Sequence, residues 1–208
     1  MLRQMIVSNE LPAGSTHLET ELAEQLQMSR TPVREACLVL EAQGLLEVRP
    51  RKGIRVNALS PDDMREIYEV LTELEALSAE RAAARKLPET ALCKLAEAIE
   101  TMETALRAGD RKRWAAADEA FHTELVRLGG NRRIEGVVAN YNDQVRRARA
   151  ITLYMRPLPT SSNEDHRKLY EAIRKGDANA ARRLHRKHRI RARELLVDLL
   201  SQSGLVNI

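Results

Sequence analysis

The stretch Ser29-Arg30-Thr31-Pro32-Val33-Arg34-Glu35 decides the fold. Ser29 is a good helix N-cap, and Pro32 is tolerated in the first helical turn. Glu35 sets an acid near the positive end of the helix dipole. The helix that opens here is expected to bury Val33, Cys37, Leu38 and Leu40 and to stop at Gly44. Upstream, Leu22, Ala23 and Leu26 mark one face of a helix over residues 19–27, followed by a break at Gln27-Met28-Ser29. Before it, a short helix ends in a turn at Pro12 and Gly14. Downstream of Gly44 the period changes, and residues 45–49 and 53–56 read as short strands joined by Pro50-Arg51-Lys52-Gly53. Three helices followed by a basic β-hairpin wing make a winged helix-turn-helix, assigned to residues 1–57.

In that motif the start of the second helix meets base edges in the major groove. Arg30, Thr31 and Arg34 occupy this position. Arg30 and Arg34 are four apart and share a face, and an Arg can grip guanine O6 and N7 together. The Thr31 hydroxyl and the free N–H groups of the first turn suit a phosphate. Arg49, Lys52 and the backbone of Gly53, in the wing, are expected along the DNA backbone or minor groove. An isolated Arg-x-x-x-Arg is more often a solvated helix face. Here helix, break, capped helix and basic hairpin occur in the order a DNA reader requires.

The net charge of +4 permits DNA binding without establishing it. Residues 1–57 carry seven Lys/Arg and seven Asp/Glu, with the basic ones gathered around the helix start and the wing. A neutral domain with one basic face suits a specific site better than nonspecific coating. Aromatic residues make up only 3%, which argues against a single-stranded nucleic-acid binder that stacks bases. Cys37 and Cys93 form no CxxC pair and read as buried free thiols of a reducing, cytoplasmic compartment. No apolar run approaches the roughly 18 residues of a membrane span, and no apolar leader opens the chain.

From Ser60-Pro61-Asp62-Asp63 onward every signal is helical. Helices are expected near residues 61–86, 88–108, 111–128, 131–154, 162–175 and 178–202, an all-α antiparallel six-helix bundle over residues 61–208. The chain is therefore mainly α, with Asn57-Ala58-Leu59-Ser60 as the natural hinge. Within the bundle Asp118 and His122 are i, i+4 on one helix, while His166 and His188 come from two others. One carboxylate and three imidazoles suit Zn, Ni, Fe, Mn or a similar divalent ion. His185 and His188 lie in an Arg-rich stretch where a solvated face is the ordinary outcome, so spacing alone leaves both readings open. His17 and His185 need no role, and the basic stretch over residues 182–193 reads as a solvated face.

The run Leu22-Ala23 … Met28-Ser29-Arg30-Thr31-Pro32-Val33-Arg34-Glu35-Ala36 … Gly44-Leu45-Leu46 … Arg51-Lys52-Gly53-Ile54-Arg55-Val56 resembles the DNA-binding domain of the GntR family of bacterial repressors. Two departures touch the scaffold only: the first helix is short, and the turn over residues 14–18 is one residue longer than usual. The helical region resembles the FCD ligand-binding domain of the FadR-like branch, through Asp118-x-x-Phe121-His122, Gly130-Asn131, Asp165-His166, Gly176-Asp177 and His188. The resemblance implies that Asp118, His122, His166 and His188 hold a divalent metal. It also implies a homodimer, a palindromic double-stranded operator and a small organic acid as effector, bound at or near the metal and controlling operator affinity. Arg149 falls near a basic position facing the effector, although a surface Arg in the run Arg146-Arg147-Ala148-Arg149 reads equally well. Leu71 stands where the family often has Arg, which leaves the effector class less certain than the fold. The competing reading is a metal-dependent enzyme acting on a small carboxylic acid. No dependable general base beside the cluster speaks for it, and an enzyme has no need of a DNA reader.

Overall fold

The computed structural model describes residues 1–202. The N-terminal part runs α1 (Leu2–Val7), β1 (Thr16–His17), α2 (Glu19–Gln25), α3 (Arg30–Ala42), β2 (Leu46–Arg49) and β3 (Gly53–Val56). Helix α3 buries Val33, Cys37 and Leu40, spaced four and three apart, against Ile6, Leu22, Leu45 and Ile54. Leu38 departs from expectation and is 49% exposed. It follows Cys37 directly, so it stands about 100° around the helix from the buried stripe. Ser29 occupies the N-cap position but makes no side-chain cap hydrogen bond.

Strands β2 and β3 pair antiparallel, with Leu46 opposite Val56 and Arg49 opposite Gly53. β1 pairs with the other edge of β3, giving the order β1-β3-β2. The sequence predicts only a turn here, because two residues are too few to display alternation. β1 explains Gly53. That residue has φ +81°, and a Cβ there would stand 2.1 Å from the His17 carbonyl oxygen. Only glycine lets the edge strand come so close.

The remaining helices are α4 (Pro61–Ala84), α5 (Glu89–Arg107), α6 (Arg111–Gly129), α7 (Arg132–Ile151), α8 (Thr160–Arg174) and α9 (Ala178–Gln202). Helix α4 starts in a capping box: Asp63 N–H donates to Ser60 Oγ at 3.0 Å, and Ser60 N–H to Asp63 Oδ2 at 2.8 Å. It packs along α9 and also meets α6, α7 and α8. One apolar cluster gathers Leu95, Met102, Phe121 and Leu169; another gathers Met64, Leu71, Val138 and Leu196. Leu71 is fully buried, so an apolar contact fills the place where the family often has Arg.

Four further expectations change. Cys93 is exposed, whereas Cys37 is buried, and burial pushes its thiol up to about 11. His185 is fully buried instead of idle. The basic stretch of α9 is mostly paired and not merely solvated: Arg182 and Arg186 reach Glu73, Arg191 reaches Asp165, and Arg189 is buried beside Glu75. The expected hinge is tied down. Asn57 Nδ2 donates to the Gly44 carbonyl at 3.0 Å, Arg147 donates to the Asn57 carbonyl at 2.7 Å, and Leu59 is buried. Arg3 also binds Gln43 and Asp143, and Gln144 donates to the Gln43 carbonyl, so α7 is fastened to the N-terminal part at several points.

Candidate functional site

Helix α6 carries Asp118 and His122 one turn apart, α8 carries His166, and α9 carries His185 and His188. All five are buried. Asp118, His122, His166 and His188 each turn one donor atom into a common space, with those atoms within 4.8 Å of one another. Asp118 Oδ1 stands 3.5 Å from His166 Nε2 and 3.8 Å from His122 Nε2. The four residues singled out in the sequence therefore converge.

The surroundings fit a bound cation. His122 points Nδ1 at Glu75, 2.9 Å away, and His188 points Nδ1 at Asp165, 3.3 Å away. Such carboxylate–imidazole contacts orient a ligating histidine and leave its other nitrogen free for the ion. Neither ring nitrogen of His166 has a hydrogen-bond partner, although the ring is fully buried. Burial and the neighbouring His188 hold its imidazole well below the usual histidine range, so it presents a neutral ring with a lone pair. His188 and His185 are likewise pushed down to about 3, chiefly by burial. Burial alone would raise the Asp118 carboxyl, but the Arg149 guanidinium and the imidazoles hold it well below the carboxylate range.

Sequence reasoning missed Glu75. It is fully buried on α4 and accepts from His122 Nδ1 and His185 Nε2, both at 2.9 Å, with Arg189 Nη2 3.2 Å away. Burial works against its charge, yet Arg189 and the imidazoles hold the carboxyl well below its ordinary value. Glu75, His122 and His185 could by donor type hold an ion of their own. Arg189 already supplies the compensating cation, so this trio reads as a tether for His122. A signal in the sequence was an acid, Glu75, at an inward position of α4.

Arg149 lines the same space and donates to Asp118 Oδ2. The cavity beside the cluster has a volume of about 110 Å³, with Asp118, His122 and His188 on one wall and Trp114, Leu153 and Leu158 among the others. In the N-terminal part, Arg30, Thr31 and Arg34 are exposed in the first turns of α3, and Lys52 is exposed in the turn between β2 and β3. Arg49 is half-buried and donates to Glu47 on its own strand, at 2.8 and 3.0 Å. No helix among the described residues is long and apolar enough to cross a membrane.

Residues 1–56 match the family model described as bacterial regulatory proteins, gntR family, and residues 66–191 match the FCD domain. The chain is 46% identical over 127 residues to an uncharacterized HTH-type transcriptional regulator in the TAR-I ttuE-ttuC' intergenic region of Agrobacterium vitis, covering 60% of this chain and 74% of that one. It is 34% identical over 176 residues to a probable D-xylose utilization operon transcriptional repressor of Paenarthrobacter nicotinovorans, covering 85% and 76%. A crystal structure of a GntR transcriptional regulator from Rhodococcus sp. RHA1 shares the fold, with a TM-score of 0.75 at 21% identity over 95% of this chain and 94% of that one.

Proposed function

Because the chain belongs to the gntR family of bacterial regulatory proteins, with an FCD domain after its winged helix-turn-helix, and is a DNA-binding transcription regulator, we propose that it is a repressor released from its operator by a small organic acid. In this reading Asp118, His122, His166 and His188 hold a divalent ion. When bound, that ion supplies a Lewis-acidic positive pole for the acid's carboxylate. Arg149 steadies Asp118, and Glu75 fixes the direction of the His122 ring. Trp114 and Leu153 keep bulk water from the cavity.

Arg30, Thr31 and Arg34 read the major groove, and Arg49, Lys52 and the Gly53 backbone hold the DNA backbone or minor groove. Two copies of the chain, related by a two-fold axis, engage a palindromic operator. Arg149 reaches Asp118, while Arg147, on the same helix, reaches the Asn57 carbonyl at the end of the wing domain. That shared helix is the observation carrying the proposal. A ligand that changes how Arg149 and Asp118 sit shifts α7, and α7 biases the placement of the DNA-binding domain.

The test joins elemental analysis and native mass spectrometry of the protein as isolated with a gel shift on a palindrome near its gene. Stoichiometric metal, a dimer and release of the palindrome by a small acid are expected. Protein without metal that holds the operator equally in every acid overturns the effector reading.

A further inference from the structure

Four arginines line the cavity beside the cluster. Arg149 is paired with Asp118, and Arg189 lies beside Glu75 and over the Tyr68 ring, 4.6 Å from its centroid. Arg111 donates to the carbonyls of Leu153 and Arg156, at 3.3 and 2.8 Å. Arg189 also has a buried Nε and Nη without hydrogen-bond partners, and Arg111 forms no salt bridge among the described residues; of the four, Arg156 alone combines the two traits. Its Nε donates to Thr152 Oγ1 at 3.1 Å, but one Nη is buried with no hydrogen-bond partner, and it forms no salt bridge among the described residues. The surplus can be counted. Four guanidinium charges meet two carboxylates, Asp118 and Glu75, which leaves +2 around the cavity before any metal ion is added.

A buried charge without a partner is costly, and a guanidinium presents a fork of donors that fits a carboxylate. An acid with one carboxylate can satisfy the metal-cluster wall or Arg156, and it leaves the other unmet. We propose that the effector is a short-chain dicarboxylate, one carboxylate at the Asp118–His122–His188 wall and the other clamped by Arg156. The proposal rests on the reading of the cavity as an acid-effector site. A volume of about 110 Å³ with Trp114, Leu153 and Leu158 around it suits a compact molecule. Burial and the nearby Arg149 charge push the Arg156 guanidinium down to about 10, and it remains cationic at neutral pH.

The experiment uses the full-length protein as isolated and measures binding by calorimetry and thermal shift. The probes are the dicarboxylates from malonate to adipate, each against the monocarboxylate of equal chain length. At least one dicarboxylate is expected to bind about tenfold or more tightly than its partner acid. Arg156→Gln should weaken the dicarboxylate and bring its affinity down toward that of its partner acid, and Arg156→Lys should restore part of the preference. Equal affinity for both acids overturns the proposal and leaves the acid-effector reading standing. So does an Arg156→Gln protein that keeps the full preference for the dicarboxylate. If no acid of either series binds, the acid-effector reading itself fails and takes the dicarboxylate with it. Should Arg156→Gln misfold, the comparison on the unaltered protein still decides.

Discussion

Glu75 accepts a hydrogen bond from His122 Nδ1 at 2.9 Å. An ionised carboxylate can only accept, so His122 carries a proton on Nδ1, and Nε2, turned toward Asp118, is the nitrogen left for a cation. Helix α4 thereby sets the tautomer of a residue on α6. Glu75→Gln is expected to weaken metal binding about 10–100-fold. Because it also leaves Arg189 without its partner, it should destabilise the fold by about 3–5 kcal/mol. A metal-competition titration beside a urea melt separates the effects. Lost stability with unchanged metal affinity would make Glu75 a core ion-pair residue and nothing more.

Three imidazoles are held neutral: His166 well below its ordinary value, His185 and His188 at about 3. Their folded values lie under the unfolded value near 6.5, so between these limits the unfolded chain binds more protons. The stability they contribute is complete above about pH 6.5 and is lost as the pH falls toward 3, each group adding up to about 1.4 kcal/mol per pH unit. The lowered carboxyls of Glu75 and Asp118 act in the same direction at lower pH. Thermal melts of the chelator-stripped protein should show Tm falling steadily below pH 6.5. A flat Tm from pH 7 to 4 would contradict the buried neutral cluster.

Gly53 was singled out as a DNA contact, yet the structure gives it a packing duty as well. Its φ of +81° and the His17 carbonyl 2.1 Å from a virtual Cβ make any side chain there intrusive. Gly53→Ala should destabilise the wing domain by about 1–3 kcal/mol from backbone strain alone, more once the contact is counted. Lys52→Ala, at an exposed neighbour, should leave stability unchanged and weaken DNA binding across all sequences. Denaturant melts and gel shifts on the two variants check the contrast.

Arg34 is exposed and stands four residues from Arg30 on α3. Arg34→Ala should keep the fold and dimer and lose about 1–3 kcal/mol of discrimination between the operator and a scrambled site. Equal operator binding by both proteins in a gel-shift titration would remove Arg34 from the reading set.

The elements legible in the sequence were those with period or punctuation of their own. Val33, Cys37 and Leu40 announce α3, and Ser60 with Asp63 announces α4. The Asp118/His122 pair was visible because both lie on one helix turn. Its convergence with His166 and His188 came through family resemblance, since no local rule brings α8 and α9 together. β1 was illegible because a two-residue strand is defined by its partner, β3. Glu75 and His185 were illegible for a related reason: each is made significant by the other, 110 positions apart. Arg156 escaped notice because what distinguishes it, a buried Nη without a partner together with the lack of a salt bridge, is a property of the folded cavity.

Arg147 supplies the sharpest test of how the two parts communicate. It is 1% exposed, donates from one Nη to the Asn57 carbonyl at 2.7 Å, and has no partner for its other Nη or its Nε. Burial lowers its guanidinium below the ordinary value, so the residue is an expense to stability unless the link to Asn57 matters. Arg147→Met keeps the stem packed and removes the link and the charge. Ligand-free operator binding should stay within a few-fold of the unaltered protein. The fall in operator affinity caused by the acid that most raises Tm should shrink from a typical 5–150-fold toward none. Because coupling is reciprocal, operator DNA should likewise cease to weaken binding of that acid. Undiminished coupling in both directions would mean that α7 does not carry the signal, and attention would pass to the Arg3–Asp143 contact on the same helix.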